Sequence, residues 1–203
     1  MRCGEDYEIL FGDEQLMGSW ASRSEEALAT LVCERLGQRA ERVLIGGLGM
    51  GFTLAAALTA LPASATIVVA ELVPQVVLWA GGPLAHIFGN SLDDPRITVA
   101  IRDVHDIIVE HPGSFDAIML DVDNGPDGLI TLGNERLYCN WGVRAAHAAL
   151  RPGGLLAVWS AYPDPAFNDR LRSGGFDVEE LSVDSGGDDQ DSSHTIWLAA
   201  KAA

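Results

Sequence analysis

Between Val43 and Ala70 the chain carries no charged residue. A run of that length suits either a membrane span or a segment buried on both faces of a sheet. Gly46, Gly47, Gly49, Gly51 and Pro62 interrupt it, and breakers so placed divide it into a strand, a glycine-rich turn, a helix and a second strand. Strands without a polar face belong to a parallel sheet covered by helices on both sides. The segment is therefore expected inside a core, with no membrane partner.

The alternation continues downstream. From Arg42 onward, strand candidates occupy 42–46, 65–71, 97–101, 115–121, 154–160, 176–183 and 194–200, and helical patterns separate the first six. Repeated βαβ units imply a mostly parallel sheet. Between the last two strands lies only Asp184 to Ser193, rich in Asp, Gly and Ser, too short for a crossover helix, so these two pair antiparallel. The expected fold class is α/β, with a seven-stranded, mostly parallel sheet ending in an antiparallel hairpin. Upstream, Tyr7 to Ser19 alternates around Gly12 and Asp13, which predicts a short hairpin, a remnant or a lid. Ser24 ahead of Glu25 and Glu26 predicts a helix start; Leu28, Leu31, Val32 and Leu36 supply its apolar stripe, and Gly37 its stop. Residues 1–40 are read as a hairpin and helix packed on a domain of residues 41–203.

A chain of 203 residues suits one domain. Its formal charge is −16, and among 13 basic residues only Lys201 is a lysine and no arginines cluster. Binding to a phosphate backbone needs clustered cations, so nucleic acid is not an expected partner; an acidic field favours cationic small molecules, or serves solubility alone. Cys3, Cys33 and Cys139 lack paired spacing and read as reduced thiols. Charges within Met1 to Asp13 stand where a signal peptide would be apolar, which gives a cytoplasmic expectation. His86, His105, His111, His147 and His194 share no ligand spacing, and the acidic run Gly187 to Asp191 lacks a terminal glutamate. That run reads as a solvated turn, and no metal is expected.

The candidate site begins at Val43-Leu44-Ile45-Gly46-Gly47-Leu48-Gly49-Met50-Gly51-Phe52, a buried strand running through glycines into a helix. Such a turn, at the carboxyl end of a strand, lets backbone approach a ligand closely. Neither a dinucleotide fingerprint nor a P-loop fits: Phe52 and Leu54 occupy the third-glycine registers, and no Lys-Ser or Lys-Thr follows. Glycines at 47, 49 and 51 instead resemble the G-x-G-x-G turn of class I S-adenosylmethionine-dependent methyltransferases. Glu71 ends the second strand about 20 residues further on, where a carboxylate accepts ribose hydroxyls. Asp103 ends the third. In the resembling family that acid often meets the adenine amine; as residues alone, both acids also read as helix caps or solvated loop acids.

The fourth strand ends Asp121-Val122-Asp123-Asn124-Gly125-Pro126. With Asp94-Pro95-Arg96, Arg102-Asp103, Leu137-Tyr138 and Leu150-Arg151-Pro152-Gly153-Gly154, and more weakly Ser24 to Leu28, it resembles the spermidine synthase (polyamine aminopropyltransferase) family over roughly residues 40 to 160. The resemblance implies S-adenosylmethionine or its decarboxylated form as cofactor, a small amine as acceptor and a homodimer. In that family an Asp-Ser-Ser-Asp-Pro-like loop supplies two carboxylates, one near the cofactor amine and one that helps deprotonate the attacking amine. Asp121 matches the first, Asn124 stands at the second, and Asp123 is displaced by one. Catalytic candidates are thus Asp121, Asp123 and Asn124; cofactor candidates are Gly46, Gly47, Gly49, Gly51, Glu71, Asp103 and Asp121. Gly49 replaces an aspartate that in the family favours the decarboxylated cofactor, which shifts the reading toward methyl transfer to a small molecule. Aminopropyl transfer to putrescine is the alternative, and a non-catalytic cofactor-binding or interaction module is the reading from another class. No Asn-Pro-Pro-Tyr-like motif follows the fourth strand, which disfavours methylation of a nucleobase amine. Tyr138, Trp159 and Tyr162 are candidates for an acceptor pocket or for core packing.

Overall fold

A computed structural model describes all residues except Glu5, Ile130 and 187–192; the acidic run at 187–191 lies outside the described residues. The chain begins with a small antiparallel sheet of β1 (Arg2–Cys3), β2 (Asp6–Phe11) and β3 (Glu14–Gly18). The hairpin expected at Tyr7 to Ser19 is β2–β3, and β1 adds an unforeseen two-residue strand. Helix α1 follows (Arg23–Leu36) and ends at Gly37. Its cap is not Ser24: the cap lies two residues earlier at Ser22, whose hydroxyl donates to the Glu26 carboxylate at 2.8 Å rather than capping a backbone N–H, and Ser24 is fully buried.

The main sheet comprises β4 (Arg42–Gly46), β5 (Thr66–Glu71), β6 (Ile97–Ile101), β7 (Phe115–Leu120), β8 (Leu150–Ser160), β9 (Phe176–Asp184) and β10 (Ser193–Lys201). Their order across the sheet is β6-β5-β4-β7-β8-β10-β9. The first five pair parallel, and β10 runs antiparallel between β8 and β9. Helices α2 (Phe52–Ala60), α3 (Pro74–Ala80) and α4 (Ala85–Phe88) lie between β4 and β6; α5 (Val104–Glu110), α6 (Glu135–Tyr138), α7 (Asn140–Ala149) and α8 (Pro165–Ser173) occupy the later crossovers. Strand β8 begins at Leu150 rather than at 154, because Leu150 already pairs with Phe115 before the ladder shifts register.

The apolar residues of the central strands alternate between two cores. Val43, Ile45, Ile67, Val69, Ala117 and Met119 face α1 and α2, where Leu28, Val32 and Leu54 are buried. Leu44, Ile118, Leu120, Leu156 and Val158 face the other way, toward Ile107, Val143, Phe167 and Leu171. Each such side chain withdrawn from water contributes about 1.5–3 kcal/mol, so period-two alternation with apolar residues on both faces fixes the strands between two helical layers. No described helix is long and apolar enough to cross a membrane.

This topology locates a crevice. Strand β4 has β5 on one side and β7 on the other, so successive crossovers leave it in opposite directions. Open α/β sheets bind ligands beyond the carboxyl ends of strands at such a switch point.

Candidate functional site

At that switch point the glycine turn is tied to both neighbours. The Gly47 N–H donates to the Ala70 carbonyl at 2.9 Å, and the Asp121 N–H donates to the Gly46 carbonyl at 2.9 Å. Gly47 has φ +91, and a Cβ there would lie 2.0 Å from the Asp121 carbonyl oxygen; Gly49 has φ +49, and its Cβ would meet the Met17 sulfur at 2.8 Å. Neither position admits a side chain without displacing its neighbours. The turn thus opens a pocket of about 190 Å³ whose wall includes Gly47, Gly49, Glu71, Asp103, Asp121 and Asp123. Gly46, Gly51 and Asn124 do not line it.

Glu71 is 8% exposed. Its Oε2 accepts from the Leu48 N–H at 2.9 Å and its Oε1 from the Val73 N–H at 2.8 Å. Each oxygen keeps a lone pair for a further donor. Asp103 caps α5 by accepting from the His105 N–H at 2.9 Å, and its other oxygen accepts from Arg136. Asp103, His105 and Asp106 bring possible ligand atoms within 4.8 Å of one another, yet Arg136 already pairs with both acids.

On the β7 side, Asp121 accepts from the Thr53 hydroxyl at 2.7 Å. Burial pushes its carboxyl up to about 6, against which the Thr53 bond acts. Asp123 adopts left-handed backbone, φ 52; its Oδ2 accepts from the Thr131 N–H at 3.1 Å and the Asn134 amide at 2.8 Å. Asn124 contributes backbone rather than side chain: its carbonyl accepts from the Ala161 N–H at 3.1 Å and its N–H donates to the Gly128 carbonyl at 3.2 Å. Among the aromatic candidates only Trp159 lines the pocket. Tyr138 is buried, donates its hydroxyl to the Val122 carbonyl at 2.8 Å and meets Phe167 edge-on; Tyr162 is exposed.

Of the two expectations for the amino-terminal hairpin, a remnant or a lid, its place at the pocket suits the lid, whereas the part played by Glu25 lies beyond the sequence reading. Ile9, Leu16 and Met17 of the amino-terminal hairpin roof the pocket, and the Met50 N–H donates to the Met17 sulfur at 3.1 Å. Glu25, read as a helix-start acid, is buried and lines the same pocket. Its carboxyl is pushed up to about 7, chiefly by burial and then by the Asp121 charge. Only a long-range contact distinguishes it from Glu26 beside it.

No protein-family profile matches the chain. It is 35% identical over 137 residues to a polyamine aminopropyltransferase of Mycobacterium tuberculosis, covering 66% of this chain and 25% of that protein; the chain thus spans about a quarter of that relative's length. Among solved structures, spermidine synthase from Thermotoga maritima superposes with a TM-score of 0.72 at 19% identity, over 92% of this chain and 62% of that one. A Burkholderia thailandensis 1,6-didemethyltoxoflavin-N1-methyltransferase, with bound 1,6-didemethyltoxoflavin and S-adenosylhomocysteine, gives 0.63 at 19% identity, over 90% and 80%.

Proposed function

The chain is spermidine synthase-like within the class I methyltransferase fold, and from that premise we propose that it is an S-adenosylmethionine-dependent transferase that methylates a small amine. One observation carries the reading: a single pocket gathers the glycine turn, Glu71 and two further acids, Asp121 and Asp123, at the switch point of the sheet. The residues fit the cofactor. The Gly47–Gly51 turn offers close backbone, Glu71 offers unused lone pairs to the ribose hydroxyls, and Asp103 remains on the rim for the adenine amine.

When bound, the cofactor supplies a carbon attached to a sulfonium, with a neutral thioether as leaving group. The chain's own task is then alignment, desolvation and removal of the acceptor's proton. Ile9, Leu16 and Met17 roof the reaction space against water. Asp121 attracts an alkylammonium group and orients it, and a pocket carboxylate takes the proton that frees the nitrogen lone pair. Methyl rather than aminopropyl transfer is favoured by Gly49: no carboxylate stands there to select a free aminopropyl group, and the Met17 sulfur covers that position instead.

Calorimetry with the carboxylated and the decarboxylated cofactor tests this reading. Binding of S-adenosylmethionine with rejection of the decarboxylated form is expected. The opposite preference would replace methyl with aminopropyl transfer, a second reading favoured by the aminopropyltransferase relative. Binding without turnover across a polyamine mixture would leave a cofactor-binding module.

A further inference from the structure

Resting on the transferase reading, Asp121 calls for a partner acid less engaged than Asp123, whose Oδ2 already accepts from the Thr131 N–H and the Asn134 amide, and Asn124 does not line the pocket. Helix α1 supplies one. Glu25 lies on the wall that also carries Asp121, and Thr53 joins the two: its hydroxyl contacts the Asp121 carboxylate at 2.7 Å and the Glu25 carbonyl at 3.3 Å. Arg102, the basic residue on the pocket rim, is held by Glu110. Asp121 and Glu25 therefore face the cavity with hydroxyls and no cation as side-chain partners.

Behind Glu25 runs a chain of hydrogen bonds leading away from the pocket. The Ser24 hydroxyl donates to Glu25 Oε2 and lies 2.8 Å from His194 Nδ1, while the Trp159 indole N–H donates to Ser24 Oγ at 3.0 Å. The His194 ring stands edge-on against Trp159, with centroids 4.8 Å apart. Ser24 is fully buried, whereas His194, on β10, is partly exposed.

We propose that Glu25 is the second acid of the acceptor subsite, receiving an alkylammonium group between itself and Asp121 and passing its proton through Ser24 to His194. The step balances: the ammonium gives one proton to the Glu25 carboxylate, and the electron pair of the broken N–H bond stays on nitrogen as its lone pair. Protonated Glu25 donates to Ser24 Oγ, the Ser24 hydroxyl proton goes to His194 Nδ1, and the imidazolium releases a proton to water. Ser24 is satisfied in both states, since the Trp159 N–H fills one lone pair throughout. Burial lowers the affinity of His194 for its proton, which favours release to water and makes the transfer from Ser24 to His194 the uphill step. The groups facing Glu25 are Asp121 from the end of β7, Glu26 and Ser24 on α1, and, through Ser24, His194 on β10. Glu25 is the catalytic residue of this set, and Ser24 and His194 are positioning residues.

The test uses the intact chain, with putrescine and methylamine as amine probes and S-adenosylhomocysteine as the cofactor probe. Calorimetry reads binding, and a ¹³C-carboxyl NMR titration reads the protein alone. The wild type is expected to bind at least one amine. Glu25→Gln is expected to weaken that amine by at least about tenfold, to leave S-adenosylhomocysteine within about twofold, and to remove a carboxyl resonance titrating near neutral pH. His194→Gln is expected to retain the amine and to shift the midpoint of the Glu25 resonance. Wild type binding neither amine overturns the proposal, as does Glu25→Gln binding as tightly as wild type. A loss confined to Asp123→Asn overturns it too, by making Asp123 the second acid. If Glu25→Gln does not fold, His194→Gln decides, and an unmoved Glu25 midpoint overturns the relay. Amine binding through Glu25 in a chain that ignores S-adenosylhomocysteine supports this subsite and instead sinks the transferase reading.

Discussion

The two halves of the pocket hold their acids in opposite ways. On the β4–β5–β6 side, each acid is engaged by its own surroundings: Glu71 accepts two backbone N–H groups, and Asp103 accepts one and faces Arg136. On the β7–α1 side, Asp121 and Glu25 lie close enough for the Asp121 charge to raise Glu25, with hydroxyls rather than cations as partners. The first half is a stiff frame that fixes the turn against which a ligand is laid. The second carries negative charge that a proton or an incoming cation neutralises, so electrostatic selection resides there.

Substitutions can break that contrast. Gly47→Ala strikes the frame hardest, since its Cβ would lie 2.0 Å from a carbonyl oxygen at φ +91. A loss of at least about 3 kcal/mol in urea-unfolding stability is expected, with no measurable binding of S-adenosylhomocysteine. Glu71→Ala removes the acceptor of two backbone donors, and about 2–3 kcal/mol of cofactor affinity should go with it, read by calorimetry. An unchanged dissociation constant would remove Glu71 from the frame.

Across the pocket the sign reverses. A raised carboxyl pKa means that the folded chain holds its proton more tightly than the unfolded chain. Stability from Glu25 is therefore full below about 4.5 and lost as pH climbs through about 7. Glu25→Gln should flatten that fall and stabilise the protein at pH 8 by on the order of 1–2 kcal/mol, allowing for the charge shared with Asp121. Thermal unfolding across pH 4 to 8 reads this; a parallel loss in both proteins would refute a strained acid pair. Smallest of all, Asn124→Ala is expected to change amine and cofactor binding by no more than about 0.5 kcal/mol, because the turn uses the backbone at this position.

The same contrast separates what could be read from the sequence and what could not. The β4 turn and the acid at the end of β5 follow from local pattern: glycines after an apolar strand, then a carboxylate at the next strand end. Strands β4 and β6 were legible to the residue, since the glycine turn begins at Gly46 and Arg96 and Arg102 bracket the apolar run of β6. Glu25 and Ser24 were illegible. A serine followed by two acids is the ordinary grammar of a helix start, and nothing local reveals that Trp159 and His194, more than a hundred residues away, claim the serine. Asn124 is the converse case, because alignment to a motif gives a position in the chain and not a place on the pocket wall.

Met17 carries a last implication. Its sulfur rests on the Met50 amide and over Gly49, so the roof behaves as a tethered competitor for any ligand that needs that amide. Such a ligand has to displace the sulfur first, so a side chain at 17 that leaves the Met50 amide uncovered would bind it more tightly than methionine does.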